Sequence, residues 1–386
     1  MIVVGMDVHV RNSYLCVSDE SGEIFKRGRV TNRLGELAEF LAPFEGQAMR
    51  VSLENTTNAR AIHRLLHAYA SETDTELTAQ VLDARKLRVI AESVTKCDRL
   101  DAEIINELTR SNLKLPTCYV PDDEVFGLRE HLRARADLVR VQTMTKNRIH
   151  ALLHRRGILR PPGGVFTANG RAWLAQIELD EPGRSVLMQF QHILEELEET
   201  IKQSSRRLRE IAREPRWEKA AALLRTMPGV GLITSLTVLA ELGDLGRFRS
   251  PASVSNFVGL VPVLRASNEK RYQGGITKRG SAHLRSVLVE AAWTAIRRVP
   301  RYFHQYERIK ERRGAQTAIV AVARRMLEDM FVMLKKEEAF RYASPPHEHA
   351  ATRGDETPPP LNPPTPRKGT EGAAVKGTRC LEEQAG

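Results

Sequence analysis

The stretch Ile2-Val3-Val4-Gly5-Met6-Asp7 decides the fold of the N-terminal half of this chain. Its short apolar run is typical of a buried strand, and it ends in an acidic residue. Residues 14–17 and 24–30 continue the strand pattern, and Asp19-Glu20-Ser21-Gly22 between them is typical of a turn. We therefore expect a β-meander at the start of the chain.

Helices and strands alternate after this meander. The spacing of apolar residues predicts helices near 34–41, 61–69, 83–94 and 99–108, and strands at 49–54 and 77–82. A β-meander followed by alternating helices and strands is the order expected of a ribonuclease-H-like α/β fold. We assign this domain to residues 1–115.

The middle of the chain, residues 116–217, is predicted to be helical. Residues 124–156 are basic and helix-prone, and Pro161-Pro162-Gly163-Gly164 interrupts them. A heptad seam then predicts a coiled coil that joins subunits; its members are Leu187, Phe190, Leu194, Leu197, Ile201, Ser204, Leu208 and Ile211. The alternative is a long helix packed inside one subunit.

The remainder divides into a mostly α C-terminal domain at residues 218–342 and a tail at 343–386. The tail contains Pro345-Pro346, Pro358-Pro359-Pro360 and Pro363-Pro364 among Gly, Thr and Lys residues. Such a composition cannot bury enough apolar surface to fold, so we expect disorder there.

Charge and cysteine content narrow the class of protein. Lys and Arg total 59 against 48 Asp and Glu, which gives a formal charge of +11. This excess favours a polyanionic partner, because contacts with phosphates release condensed counterions. The four cysteines are scattered and have no zinc-site spacing. With no signal peptide evident at Met1, we expect a cytoplasmic or nucleoid-associated protein.

Four acidic residues form the first candidate site. Asp7 and Glu54 each end a predicted strand, and Asp98 and Asp101 lie three apart on one face of a predicted helix. Carboxylates that converge repel one another unless a cation is bound, and hard oxygen ligands suit Mg²⁺ or Mn²⁺. The alternative for each acid taken alone is a solvated turn or helix residue.

Two loops of the C-terminal domain form the second candidate site. Pro228-Gly229-Val230-Gly231 resembles the hairpin of helix–hairpin–helix modules, in which Gly229 and Gly231 expose backbone N–H groups to a phosphate, although a tight turn would look the same. Ser267 lies in a polar loop, and Ser281 lies nearby as a second candidate serine. The cations that surround Ser267, and that can stabilise a phosphoryl transition state, are Arg265, Lys270, Arg271, Lys278, Arg279 and Arg285.

The motifs taken in order resemble the IS110 (IS1111) family of bacterial insertion-sequence transposases. The similarity runs from about Val3 to Lys335. It is carried by Gly5-Met6-Asp7, Leu53-Glu54, Lys96-Cys97-Asp98-Arg99-Leu100-Asp101-Ala102, Met227-Pro228-Gly229-Val230-Gly231, Phe257-Val258-Gly259-Leu260-Val261-Pro262 and Lys278-Arg279-Gly280.

This resemblance implies a RuvC-like DEDD domain followed by a serine domain. It implies that Asp7, Glu54, Asp98 and Asp101 bind Mg²⁺ and that Ser267 is the nucleophile of a DNA recombinase. It also implies a guide (bridge) RNA and a homo-oligomer, a dimer or a tetramer, as partners. Two alternatives stay open at this point: a RuvC-type nuclease that uses water as nucleophile, and a non-catalytic nucleic-acid-binding protein.

Overall fold

A computed structural model describes residues 1–83, 98–111, 113–267 and 270–342, with residues 264–273 given as backbone only. The N-terminal half is built on a six-stranded sheet in the order β3-β2-β1-β4-β5-β6. The strands are β1 (Ile2–Val8), β2 (Asn12–Ser18), β3 (Ile24–Thr31), β4 (Met49–Glu54), β5 (Leu77–Leu82) and β6 (Thr117–Cys118).

β1 lies in the middle of this sheet because nearly every residue in it is apolar. All seven of its residues are buried. It pairs antiparallel with β2 on one side and parallel with β4 on the other, and β2 pairs antiparallel with β3. The predicted meander and the parallel strands after it are therefore both present, and the prediction of an α/β N-terminal domain is confirmed. The ribonuclease-H-like assignment itself stays a prediction.

The two faces of the sheet are covered by different helices. The helices of this half are α1 (Leu34–Leu41), α2 (Ala59–Glu72) and α3 (Asp98–Arg110), with a short 3-10 helix at Ala42–Phe44. Val4, Met6 and Val8 share a core with α1 and α2. Since side chains alternate along a strand, Gly5 and Asp7 face the opposite side, where α3 packs on β1.

The C-terminal half is helical, as predicted, and carries one two-stranded hairpin. Its helices are α4 (Asp123–His154), α5 (Ala168–Gln176), α6 (Glu181–Ile211), α7 (Pro215–Arg225), α8 (Leu232–Leu242), α9 (Pro251–Val258), α10 (Ala282–Ala295), α11 (Pro300–Arg313) and α12 (Ala315–Lys336). A 3-10 helix spans Leu245–Arg247. The hairpin consists of antiparallel β7 (Pro262–Ser267) and β8 (Lys270–Ile276).

The long helix α4 belongs to two separate cores. Near its start, Val125, Leu128 and Leu132 are buried in the large core of the C-terminal helices. Near its end, Ile149 and Leu153 are buried in a smaller core with α5 and the first half of α6. The large C-terminal core thus takes residues from both ends of the predicted middle region, and the bounds of that region as a domain stay a prediction.

Half of the heptad seam on α6 is buried within its own chain. Leu187 and Leu194 are buried against α4 and α5, and Leu208 and Ile211 are buried in the large C-terminal core. The other four seam positions, Phe190, Leu197, Ile201 and Ser204, are only partly buried. Packing inside one subunit, the alternative considered above, therefore accounts for half of the seam, and the coiled coil between subunits stays a prediction.

Across the described ranges, each helix is either too short or too polar to cross a lipid bilayer.

Candidate active site

Asp7 is the buried acid at the centre of the candidate site. It lies one residue before the end of β1, and only 5% of its surface is exposed. Burial raises its pKa above the ordinary value, and the nearby carboxylates of Asp98 and Asp101 raise the pKa further, while His9 lowers it. A carboxyl group in this position favours any cation that offsets its charge.

The close approach of α3 to β1 brings the helix acids to Asp7. A Cβ atom on Gly5 would lie 2.3 Å from both the Ala102 oxygen and the Asn106 nitrogen, so only glycine allows this packing distance. Asn106 then fixes the helix on the sheet, because its amide donates to the oxygens of Val3 (2.9 Å) and Cys16 (3.0 Å). The first turn of α3, which carries both acids, is thereby held over the end of β1.

His9 bridges two of the acids. Its Nε2 lies 3.1 Å from Asp7 Oδ2 and 3.3 Å from Asp98 Oδ1. One ligand atom from each of Asp7, His9 and Asp98 falls within 4.8 Å of the others, which is a spacing that can hold one metal ion. The sequence analysis did not single out His9, although its position two residues after Asp7 is the spacing that returns a side chain to the same face of an extended chain.

Arg29 is a second residue that the sequence analysis missed. Its Nη2 donates to Asp98 Oδ2 at 2.7 Å, and this hydrogen bond is the main reason that the pKa of Asp98 lies below its ordinary value. The sheet register explains the contact: Asp7 pairs with Tyr14, and Tyr14 pairs with Arg29. Directly opposite residues share a face, so Arg29 lies level with the acids across two strands.

Asp101 and Glu54 lie at the edges of this cluster. Asp101 Oδ1 is buried and has no hydrogen-bond partner among the described residues. Glu54 is the last residue of β4, directly after Leu53, which pairs with Met6; it is outside the group whose ligand atoms lie within 4.8 Å. A buried oxygen without a partner next to other carboxylates fits a divalent cation with oxygen and nitrogen ligands.

The predicted nucleophile Ser267 ends β7 and pairs with Lys270, the first residue of β8. The described structure gives only the backbone for Ser267, Arg265, Lys270 and Arg271. Asn268, like Lys96 and Cys97 of the first half, lies outside the described residues. The catalytic role of Ser267 therefore stays a prediction. In the fold, this residue lies at the end of β7 that is opposite the base of the hairpin.

Ser281, the alternative serine, has a structural task. It is the N-cap of α10, where its side chain accepts a hydrogen bond from the Leu284 backbone nitrogen at 3.2 Å. An N-cap hydroxyl satisfies a backbone donor that would otherwise have no partner. The structure thus gives Ser281 a capping role, and which of the two serines is the nucleophile stays a prediction.

The predicted phosphate-binding residues fall into two groups. Gly231 is the N-cap of α8 and has open space around it, and Lys278 and Arg279 are exposed. Gly229 instead packs on α10, since a Cβ there would lie 2.4 Å from the Ala291 oxygen. Arg285 also serves the fold: its Nη1 donates to the backbone oxygens of Val258 (3.0 Å), Arg279 (2.7 Å) and Gly280 (3.2 Å).

Comparison with known protein families gives two matches. A model described as "Transposase", named for DEDD residues and IS110, matches residues 4–156. A model described as "Transposase IS116/IS110/IS902 family" matches residues 221–308. The first match contains the acidic cluster, and the second contains the β7–β8 hairpin.

Individual relatives agree with these matches. The putative transposase y4qE of Sinorhizobium fredii is 32% identical over 52% of this chain and 48% of its own length. The transposase for insertion sequence element IS1111A of Coxiella burnetii is 26% identical over 88% of this chain and 91% of its own. The transposase for IS1328 of Yersinia enterocolitica is 25% identical over 77% of this chain and 84% of its own.

Proposed function

The chain belongs to the IS116/IS110/IS902 family of transposases, and from this premise we propose that it excises and inserts an insertion sequence in DNA through Ser267 and a cation-binding carboxylate cluster. The observation that carries the proposal is the convergence of Asp7, His9 and Asp98 at one end of β1. These groups come from β1, from the residue after it and from α3. Holding titratable groups this close together costs folding free energy, and such clusters are typical of functional sites.

The carboxylate cluster would hold the metal ion. Asp7 and Asp98 can supply carboxylate oxygens and His9 can supply Nε2. Asp101 can add Oδ1, which is buried and has no hydrogen-bond partner among the described residues. When bound, Mg²⁺ or Mn²⁺ would act as a Lewis acid on a phosphate oxygen. Arg29 holds Asp98 in place through the sheet and keeps its carboxylate ionised, which preserves it as a ligand.

The strand-cleavage step is assigned to Ser267. Its Oγ attacks a DNA phosphorus, the new Oγ–P bond replaces the P–O3′ bond, and the serine proton is taken up by the departing O3′. The products are a phosphoserine linkage and a 3′-hydroxyl, and reversal with a different 3′-hydroxyl rejoins the strands. The exposed Lys278 and Arg279 in the following loop are suited to stabilise the charge on the phosphate.

The family resemblance extends the proposal to partners. Exchanging two ends of an element requires more than one serine, so the active form would be a homo-oligomer, a dimer or a tetramer. A guide RNA would select the DNA ends. We keep both as parts of the proposal, and DNA is the partner on which the test below depends.

Ser267→Ala tests the proposal on a labelled DNA duplex that carries an end of the element. We expect strand cleavage to fall by about three orders of magnitude or more, because removal of a covalent nucleophile removes the chemical route itself. The covalent protein–DNA adduct, visible as a shifted band on a denaturing gel, should disappear with it.

Ser281→Ala is the matched control. It removes the N-cap of α10, which costs about 1 kcal/mol of stability, but it should retain cleavage and adduct. Wild-type cleavage by Ser267→Ala, without an adduct in either protein, would instead support a nuclease that uses water. Absence of metal-dependent cleavage in the wild type would support a protein that only binds DNA.

A further inference from the structure

The last two helices form a groove outside the sites described so far. α11 and α12 are joined at Gly314 and run antiparallel, as the contacts Gln305–Ala321 and Tyr302–Asp329 show. Each helix contributes residues at i, i+3, i+4 and i+7, the spacing of one helix face. These residues enclose a cavity of about 620 Å³: Arg301, His304, Gln305 and Arg308 from α11, and Ala321, Arg324, Arg325 and Glu328 from α12.

The groove continues to the serine hairpin. A second cavity of about 710 Å³ shares Ala321 and Arg324 with the first. One wall consists of the next turns of the two helices, with Arg312, Arg313, Gln316 and Thr317. The other wall is the base of the β7–β8 hairpin, with Pro262, Gly274, Gly275 and Ile276. Gly275 leaves open space at this end, because a Cβ there would contact nothing within 4 Å.

The lining of the groove is strongly positive. Six arginines line the two cavities together, against one acid, Glu328. Glu328 is already engaged, because its Oε1 accepts from Arg324 and from Ser255, each at 2.9 Å. Asp329 beside the groove is held by Tyr302, Arg301 and Arg325.

Three of the arginines form no ion pair with any acid that the structure describes. Arg308, Arg312 and Arg313 are exposed and make no ion pair in the described parts of the chain. Helix-surface arginines usually gain some stability from acids one turn away. Glu311 lies three residues after Arg308 but forms no ion pair with it in the described structure. Three arginines without an ion pair leave excess positive charge along one side of an open groove, which is the arrangement expected of a surface that binds a polyanion.

We propose that this groove binds the sugar–phosphate backbone of the DNA strand that Ser267 attacks, an inference that rests on the proposed function. The dimensions fit: from Arg301 to Arg313 the helix rises about 18 Å, which is roughly five phosphates at about 3.4 Å per nucleotide of a B-form strand. Arginine binds phosphate through a planar pair of N–H donors, and Gln316 and Thr317 add neutral donors near the hairpin.

DNA is preferred over RNA because of where the groove leads. Its open end lies at the base of the β7–β8 hairpin, and Ser267 lies at the other end of β7, five residues after Pro262 or about 17 Å along the strand. A strand that leaves the groove and follows the hairpin would therefore reach the end that carries Ser267. A groove for a guide RNA has no need to end at that hairpin.

The test is the salt dependence of DNA binding by the full-length protein. The triple variant Arg308→Gln, Arg312→Gln and Arg313→Gln removes the three unpaired charges. The logarithm of the affinity for a mixed-sequence DNA duplex falls linearly with the logarithm of salt concentration, by about 0.9 per phosphate contacted. We expect fluorescence anisotropy to show a slope smaller by roughly 2 to 3 for this variant.

The matched control is Arg206→Gln, Arg209→Gln and Arg213→Gln, three exposed arginines at and after the end of α6. It changes the net charge equally but lies outside the groove, and its slope should equal that of the wild type. An unchanged slope in the groove variant, or an equal loss in the control, overturns the proposal. A loss seen with RNA of the same sequence but not with DNA overturns the assignment to DNA.

This measurement tests the proposal for the groove independently of the proposal that Ser267 is the nucleophile. Binding needs no chemistry, so it can be made in the Ser267→Ala background. Loss of cleavage in Ser267→Ala together with an unchanged slope in the groove variant would reject the groove alone. Continued cleavage by Ser267→Ala would reject the serine mechanism while a reduced slope still supports DNA in the groove.

Discussion

Asp7 and Asp98 share one ligand cluster but have opposite electrostatic environments. Burial and neighbouring carboxylates raise the pKa of Asp7, whereas the Arg29 guanidinium lowers the pKa of Asp98. The carboxylate of Asp7 is therefore stabilised most by a bound cation, whereas that of Asp98 is already ionised in the cation-free protein. A site of this kind has its ligands arranged before the ion arrives, at some cost in the stability of the empty protein.

Asp7→Asn should make the cation-free protein more stable at neutral pH. The folded-state pKa of Asp7 is raised, so its contribution to stability is fully present below the unfolded pKa and is lost as pH rises through the folded value. The neutral amide of the Asn side chain does not ionise, so the variant keeps this stability as pH rises. Mg²⁺ at about one hundred times its dissociation constant should stabilise the wild type by about 2.7 kcal/mol and the variant much less, as followed by thermal unfolding.

Glu39→Gln, an exposed acid of α1, is the control for this experiment and should respond to Mg²⁺ as the wild type does. If tens of millimolar Mg²⁺, roughly the ceiling for a useful site, left the wild-type melting curve unchanged, the cluster would not be a metal site.

At the residue scale, part of the candidate site could be predicted from the sequence. Asp7 after a buried run, and two acids three apart on a helix, are local patterns, and the structure brings Asp7 and Asp98 together. Arg29 was missed because it reaches the cluster only through the register of three strands. His9 was missed because a single histidine in a turn carries no signal until the fold places an acid on either side of it.

At the element scale, the site depends on how closely α3 packs on β1. The contact is governed by Gly5, which has no side chain, and by Asn106, which replaces apolar packing with two hydrogen bonds to strand oxygens. Ser18 completes the arrangement by donating to Asn106 Oδ1 at 2.8 Å. Helix position, and with it the placement of the acids, is set by these few atoms.

Gly5→Ala should displace α3 and weaken cation binding. The added methyl group cannot sit 2.3 Å from the Ala102 oxygen, so the helix must move away from the strand. Overpacking of this kind costs typically about 1–3 kcal/mol, and the shift should also reduce the stabilisation by Mg²⁺. Urea unfolding with and without Mg²⁺ measures both effects.

Gly35→Ala is the natural control, because a Cβ at this position in α1 meets nothing within 4 Å. It should raise stability by up to about 1 kcal/mol, the difference in helix propensity between the two residues. An equal response of the two variants would show that the contact at Gly5 does not position α3.

The order of elements was easier to predict than their packing. Strand and helix periodicities follow directly from side-chain alternation, and the N-terminal α/β and C-terminal helical parts are confirmed. The seam on α6 gave a heptad pattern that fits either a partner subunit or the same chain, because Leu187 and Leu194 need an apolar neighbour of any origin. The position of α4 explains the burial of these two leucines, and the role of the half-buried seam positions between subunits stays a prediction.

At the scale of the whole molecule, α4 joins the parts. Near its start, the Arg60 side chain of α2 forms an ion pair with Asp123 and contacts the Phe126 ring at 3.8 Å. One turn later, Arg129 donates to the oxygens of Ala240 (2.8 Å) and Glu241 (3.2 Å) at the end of α8. The first turns of this helix therefore hold the sheet and the helical body against each other.

Leu194→Ala should destabilise a single chain and leave its assembly unchanged. Leu194 is 3% exposed and packs within its own subunit, so truncation should cost about 2–5 kcal/mol. Met188→Ala, at a position 61% exposed on the same helix, should cost less than about 0.5 kcal/mol. Thermal unfolding and light scattering together provide the test, and a smaller oligomer mass for Leu194→Ala would return the seam to an interface between subunits.

Because α4 is buried in two separate cores, a movement at one of its ends is transmitted to the other. Its first turns are fixed in the C-terminal core, and from Leu132 to His154 it extends about 33 Å to the small core with α5. A tilt of about 5° at the fixed end would move the far end by roughly 3 Å over that length, far more than a side chain shifts within a packed core. Nucleic acid or another subunit that binds near α5 and α6 would thus apply force far from the first turns of α4. A small tilt of the helix would transmit that force to the contacts between the sheet and the C-terminal helices.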